Sequence, residues 1–157
     1  MIIILDDVFS EDVRNDIYSK YSNNKSPKSL DWFSVGEVDI DLAKLLFIGN
    51  QYIDLSAYVG VEVWTQYNSK PNYHYDKDEI LFNRTSELKF PICTILYYPY
   101  ISETLIGGEF ITADIKIKPK TNRAIIFSAG LYHSVNEYVG ERFSLVVNPW
   151  SYKPEGY

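Results

Sequence analysis

The chain has few sulfur-containing residues and few histidines: one cysteine, one methionine and two histidines among 157 residues. With Cys93 alone, no intrachain disulfide can form, which fits a reducing compartment. No run approaches the roughly 20 apolar residues of a membrane span. The apolar stretch 2–5 meets Asp6 and Asp7 without a basic leader, so no signal peptide is expected. These absences predict a cytoplasmic protein without membrane association.

Basic residues are also in short supply, with 15 Lys and Arg against 21 Asp and Glu, a net charge of −6. No basic stripe is visible, which argues against a nucleic-acid partner. Hydrophobic residues make up 46% and aromatics 16% of the chain, a composition that favours strands. Its length predicts a single domain over residues 1–157.

Helical spacing is confined to the N-terminal third. Ser10 is a candidate cap for a helix over 11–21, and a second helix is predicted over about 40–54, with a polar loop over 21–30 between them. Short strands separated by turns follow, near 2–5, 61–67, 73–76, 92–98, 108–112, 115–118, 123–128, 132–135 and 142–148. This order predicts a mainly β, α+β fold: an antiparallel double-sheet roll with N-terminal helices packed on one sheet.

The two histidines stand where a mononuclear metal site needs them. His74 and Asp76 are two apart in a predicted strand, so both side chains project to the same face. His133 comes from a later strand that a roll can bring close. Two imidazoles and one carboxylate form a facial ligand set that leaves positions open on a ferrous ion. The motif His-x-Asp is weak alone, since a surface histidine beside an aspartate is common.

Arg142 and Ser144 supply the second half of the pattern. They share a face on the last predicted strand, and an inward arginine is costly unless it meets an anion. The planar guanidinium suits a carboxylate, and the serine hydroxyl adds a further hydrogen bond. The sequence therefore predicts an anion site beside the metal.

Ordered motifs over the second half of the chain then show a family resemblance. They are Gln66-Tyr67, His74-Tyr75-Asp76, Ile95-Leu96-Tyr97-Tyr98, Gly107-Gly108-Glu109-Phe110, Lys118-Pro119, Ala124-Ile125-Ile126-Phe127, His133-Ser134-Val135 and Gly140-Glu141-Arg142-Phe143-Ser144. With these motifs the chain resembles the iron(II)- and 2-oxoglutarate-dependent dioxygenases of the prolyl 4-hydroxylase-like branch. The resemblance implies a double-stranded β-helix (jelly-roll, cupin-like) fold and hydroxylation of a C–H bond with dioxygen.

The resemblance also implies roles for particular residues. His74, Asp76 and His133 would bind Fe(II), and Arg142 would hold the far carboxylate of 2-oxoglutarate. By position and parity, Tyr97 is similar to the family tyrosine that binds this same carboxylate. Two more residues would contact the cosubstrate. Ser144 resembles the serine of the Arg-x-Ser arrangement, and Tyr67 resembles a further pocket tyrosine.

The substrate is less well defined by the motifs. Val146 and Asn148 stand where some hydroxylases carry threonine and tryptophan, and Trp64 is expected to pack against the helices. The loop 77–90 is either a substrate lid or a variable surface connection. A peptidyl, in particular prolyl, substrate is the first expectation and a free amino acid or other small molecule the second; nucleobase demethylation ranks third. A non-catalytic metal-binding module and a cupin-type enzyme without a keto acid stay open as alternatives.

Overall fold

The structure, a computed structural model, describes residues 1–23 and 28–157, with the backbone alone for Lys28 and Ser29. The helices described are α1 (Glu11–Ser22), α2 (Ile40–Asn50) and α3 (Glu79–Thr85), with a 3-10 turn at Val35–Glu37. The strands are β1 (Ile2–Leu5), β2 (Lys28–Ser34), β3 (Gly60–Tyr67), β4 (Cys93–Ile101), β5 (Ile106–Gly107), β6 (Phe110–Ile111), β7 (Lys116–Ile117), β8 (Arg123–Ser128), β9 (Ser134–Val135), β10 (Tyr138–Val139) and β11 (Arg142–Trp150). The predicted mainly β fold with antiparallel sheets is confirmed.

One large antiparallel sheet organises the molecule, with strand order β1-β8-β4-β11-β3-β2. Its central strand β11 pairs with β3 from Phe143 opposite Tyr67 to Trp150 opposite Gly60, and with β4 on its other side. Smaller sheets, β7-β6-β9 and β10-β5, and a bridge between His74 and His133 complete the pairing among the described residues. The metal-binding candidates thus lie outside the large sheet.

The large sheet separates two apolar clusters. On one face α1 and α2 bury Ile17, Leu42 and Leu45 against Ile95 and other strand residues, as the sequence predicted for the helices. The opposite face carries a second cluster, which includes Trp64, Leu96, Tyr98, Phe110, Ile125, Phe127 and Val146. Strands β4 and β11 are buried on both sides, so their sequences are apolar without alternation.

Capping residues explain where the helices begin. The Ser10 hydroxyl accepts from the backbone N–H of Val13, as predicted, and the Asp39 carboxylate accepts from Asp41 and Leu42 at the start of α2. The second helix ends at Asn50 rather than near 54.

Three segments differ from the sequence prediction. The predicted strand over 73–76 is reduced to a single bridge, in which His74 pairs with His133. The predicted loop over 21–30 is helix up to Ser22 and strand from Lys28, while its residues 24–27 lie outside the described part of the chain. The segment 77–90, expected to be a loop, contains α3, which begins where the Asp78 carboxylate accepts from Leu81 N. The two elements that were not predicted, β2 and α3, are short and lack a long helical or alternating pattern, so hydrophobic periodicity did not indicate them.

None of the helices formed by the described residues is long and apolar enough to cross a lipid bilayer.

Candidate metal and anion site

The two histidines face each other across a short antiparallel bridge. His74 N donates to His133 O at 2.9 Å, and His133 N donates to His74 O at 3.0 Å. Directly opposed residues project their side chains to the same face, and the two ring centroids lie 4.4 Å apart. This bridge brings together two histidines that are far apart in the sequence.

A backbone carbonyl orients each imidazole. Nδ1 of His74 lies 2.7 Å from the Asn72 oxygen, and Nδ1 of His133 lies 2.9 Å from the Leu131 oxygen. Because a carbonyl only accepts hydrogen bonds, the proton is placed on Nδ1 and the lone pair on Nε2. The Nε2 atoms lie 3.5 and 3.9 Å from Oδ1 of Asp76. This is how metal-binding histidines are held in proteins.

Asp76 completes the cluster from a buried position. Burial alone raises the pKa of its carboxyl, but His74, the charge of His133 and the Thr94 hydroxyl outweigh it and lower the pKa. Burial lowers the pKa of His133, which favours its neutral form. The Thr94 hydroxyl donates to Oδ2 of Asp76 at 2.7 Å, so Oδ1 of Asp76 is the oxygen that faces the imidazoles. An ionised carboxylate and neutral imidazoles are the protonation states that metal binding needs.

One ligand atom from each of His74, Asp76 and His133 lies within 4.8 Å of the others. The donor set of two nitrogens and one oxygen, with tautomers already fixed, fits a divalent first-row metal with positions left open. The predicted trio is therefore brought together in a geometry that can hold a metal ion.

Arg142 is a cation buried without a carboxylate. It is 1% exposed, and none of the described residues places a carboxylate oxygen within 4.0 Å of its guanidinium. Nη1 donates to Ser144 Oγ at 3.3 Å and Nη2 to the Tyr98 hydroxyl at 3.2 Å, while Nε has no hydrogen-bond partner among the described residues. The rings of Tyr98 and Tyr138 lie 5.0 and 5.9 Å from the guanidinium carbon. A buried, incompletely bonded cation is a ready anion site.

The structure contradicts the predicted position of Tyr97 beside Arg142. The Tyr97 hydroxyl donates to Asn122 Oδ1 at 2.9 Å, and its ring packs edge-on against Phe9 on the helix side of the sheet. The neighbouring Tyr98 faces Arg142 instead. Because β4 is buried on both faces, its sequence has no polar alternation to indicate which parity points to the site.

Tyr67 also lies outside the cavity. Its hydroxyl donates to Glu141 Oε1 at 2.8 Å at the surface, while Gln66 and Trp64, on the other parity of β3, face the metal cluster. The expectation that Trp64 packs against the helices is wrong, because its side chain lies on the face of β3 that carries the metal cluster. Ser144 is fully buried beside Arg142, as predicted, and lies 3.5 Å from Gln66 Oε1.

One narrow cavity contains residues from both halves of the site. Its lining consists of Trp64, Gln66, Pro71, His74, Asp76, Thr94, Leu96, Phe110, Phe127, His133, Val135, Arg142 and Val146. Apolar side chains separate the metal cluster from the guanidinium, so the cavity suits a ligand that reaches from one to the other. Thr94 was not among the predicted site residues, and Gln66 appeared only in the motif Gln66-Tyr67 without a role. The one signal for them is that each lies two residues from another cavity residue on its strand.

No protein-family model and no curated protein matches the sequence. Among solved structures, the chain is similar to the viral collagen prolyl hydroxylase of Paramecium Bursaria Chlorella virus-1 in its 2-oxoglutarate complex, with 19% identity, 97% of this chain and 96% of that chain covered, and a TM-score of 0.66. It is similar to an oxidoreductase of the 2OG-Fe(II) oxygenase family from Burkholderia pseudomallei, with 14% identity, coverage of 98% and 85%, and a TM-score of 0.62.

A third similar structure is the Trichoplax adhaerens prolyl hydroxylase in complex with a peptide fragment of the hypoxia inducible factor oxygen degradation domain. The identity is 15%, with 96% of this chain and 83% of that chain covered, and the TM-score is 0.55. At such identities the likeness shows the fold. The chain shares the fold of prolyl 4-hydroxylases and 2OG-Fe(II) oxygenases, so the resemblance seen in its motifs is confirmed at that level.

Proposed function

We propose that this chain is an iron(II)- and 2-oxoglutarate-dependent dioxygenase that hydroxylates a C–H bond. One observation carries the proposal: a cluster of two histidines and one aspartate shares a cavity with a buried arginine to which no described residue offers a carboxylate. Residues 1–157 form one domain in this proposal, and its architecture is a double-stranded β-helix with helices on the large sheet.

His74, Asp76 and His133 hold the ferrous ion in this proposal. Their second contacts, to Asn72 O, Thr94 Oγ1 and Leu131 O, fix the ligand atoms before any metal arrives. When bound, Fe(II) supplies the activation of dioxygen and the oxidative decarboxylation of 2-oxoglutarate. Three protein ligands leave room for a chelating keto acid and a gas molecule.

Arg142 holds the far carboxylate of 2-oxoglutarate. Its guanidinium is oriented by Ser144 and Tyr98, so its free donor positions are set before the anion binds. The apolar residues between this group and the metal cluster, such as Leu96 and Val146, suit the two methylene groups of the cosubstrate. They also exclude water, which strengthens the charge pairing.

The substrate we propose is peptidyl, with a prolyl residue as first choice. Support comes from two neighbours in fold, the viral collagen prolyl hydroxylase and the Trichoplax enzyme bound to a peptide. A free amino acid or other small molecule is the alternative, and a panel of peptides and metabolites screened by mass for oxygen addition separates the two.

The test of the iron and cosubstrate assignment is spectroscopic. Anaerobic addition of Fe(II) and 2-oxoglutarate is expected to give the broad visible charge-transfer band of the chelate. Asp76→Ala should abolish the band and the retention of iron, while Asp114→Ala, which removes an exposed carboxylate from a turn, should keep both. Folded wild-type protein that retains no iron and shows no band refutes the proposal. A band without succinate formation in air would favour a non-catalytic module.

A further inference from the structure

A second cavity adjoins the metal cavity and shares Trp64 with it. We name it the Glu62 cavity; its volume is about 150 Å³, and its charged lining residues are Glu62, Lys77, Asp78, Glu79 and Glu155. It lies between β3, the start of α3 and residues 154–157. Four of its lining residues are acidic and one is basic, so its charge is negative.

Most of this charge is already neutralised or used. Lys77 Nζ donates to Glu79 Oε1 at 2.7 Å, and Glu155 pairs with Arg84. The Asp78 carboxylate caps α3 and accepts from Tyr152 and from Glu155 N. These contacts build the walls of the cavity and leave Glu62 as the acid available to a ligand.

Glu62 is a buried acid without a cation. It is 6% exposed, and none of the described residues puts a Lys, Arg or His nitrogen within 4.0 Å of it. Two neutral donors contact it: the Tyr157 hydroxyl at 2.8 Å and Asn148 Nδ2 at 3.2 Å. A carboxylate offers about four acceptor positions, so at least one remains for a ligand.

A separate observation marks the same place. Asn148 lies directly opposite Glu62 in the β3–β11 register, and its side chain therefore projects to the same face. It is fully buried, its Nδ2 is used by Glu62, and its Oδ1 has no hydrogen-bond partner among the described residues. A buried acceptor without a donor costs free energy, and a ligand N–H beside Glu62 would remove this cost.

We propose that the Glu62 cavity binds a protonated amine or guanidinium group of the substrate, with Glu62 as the counter-charge and Asn148 Oδ1 as a second acceptor. This inference rests on the proposed function and names its substrate class. Glu62 on β3 and Thr94 on β4 are two strand spacings apart, roughly 10 Å, and Thr94 is bonded to Asp76. One basic residue, free or within a peptide, spans this distance and reaches the metal cavity.

The experiment compares cationic probes with neutral ones of similar shape. L-lysine and L-arginine are titrated against L-norleucine and L-citrulline, as free amino acids and within acetyl-glycyl-X-glycinamide peptides. The protein is loaded anaerobically with Fe(II) and 2-oxoglutarate, and binding is read by calorimetry and by tryptophan fluorescence. The cationic probe should bind at least about tenfold more tightly than its neutral partner, as expected for a charge-assisted hydrogen bond. The free and peptide arms identify the source of the cation.

Matched variants locate the effect. Glu62→Gln removes the charge and keeps the shape, and Asn148→Leu removes the unpartnered oxygen, so both should shrink the discrimination to within about threefold. Glu87→Gln removes an exposed charge outside the cavity and should leave the preference for cationic probes unchanged. Equal affinities in the wild type, no binding of any cationic probe, or unchanged discrimination in either folded cavity variant overturns the inference. The visible band in the same samples separates the failures, because its absence sinks the proposed function itself.

Discussion

At the scale of single residues, the site is organised by groups that hold other side chains. Thr94 holds Asp76, two carbonyls hold the imidazoles, and Ser144 with Tyr98 holds Arg142. Such second contacts keep ligand atoms in place without a bound metal or anion, and they reduce the ordering cost of binding.

The adjacent tyrosines of β4 allow a sharp comparison. Tyr98→Phe removes the hydroxyl that orients Arg142, so 2-oxoglutarate should bind roughly 10- to 150-fold more weakly, as expected for loss of a hydrogen bond to a charged group. Tyr97→Phe removes the bond to Asn122 on the helix side, and should lower the free energy of unfolding by about 1 kcal/mol with cosubstrate affinity unchanged.

Titration of the visible band with 2-oxoglutarate and urea unfolding measure the two effects. The reverse result, with cosubstrate binding weakened by Tyr97→Phe alone, would restore the role that the family resemblance implied for Tyr97.

At the scale of elements, short strands are held in place by side chains at their ends. β1 pairs with β8 over four residues at the edge of the large sheet. Just beyond it, both oxygens of Asp6 accept from Arg123, at 2.6 and 3.0 Å, and one accepts from Lys120. This pairing fixes the end of β1 against the first residue of β8.

Acid should loosen this connection. The hydrogen bond from Arg123, with help from Lys120, lowers the pKa of Asp6 from 3.8 to about 2. Because the folded-state pKa is lowered, the stabilisation is present above pH 3.8 and is lost as the pH falls toward 2. The urea midpoint of the wild type should exceed that of Asp6→Asn at pH 7, and the gap should narrow below about pH 4. A gap that stays constant down to pH 3 would show that the ion pair contributes little.

At the scale of the whole molecule, the large sheet has the helix-packed core on one face and the candidate site on the other. Its helix-covered face is an apolar core, while the opposite face carries the metal cluster, the arginine and both cavities. Substitutions in the helix layer should therefore change stability more than binding.

Two residues of α2 test this division. Leu45 is fully buried against the sheet and Phe47 is 69% exposed. Leu45→Ala should lower the free energy of unfolding by about 2–5 kcal/mol, whereas Phe47→Ala should change it by no more than about 0.5 kcal/mol. Iron and cosubstrate binding by the folded Leu45→Ala protein should match the wild type, and a selective loss of binding would contradict the division.

The sequence by itself determined which residues could make the metal and anion sites. Residue type and spacing, together with the family resemblance, named these candidates: two histidines, an aspartate two residues after one of them, and an Arg-x-Ser pair. Strand parity was not sufficient, because it placed Tyr97 rather than Tyr98 at the anion site. Local alternation also predicted the mainly β class, because it depends only on neighbouring residues.

Only the tertiary structure decided which face each doubly buried strand turns to the site. On β4 both parities are apolar, so Tyr98 rather than Tyr97 meets Arg142 for a reason that lies in the neighbouring layers. No pattern in the sequence predicted the Glu62 cavity either. Its walls come from β3, α3 and residues 154–157, and packing between distant segments, rather than any local pattern, brings them together.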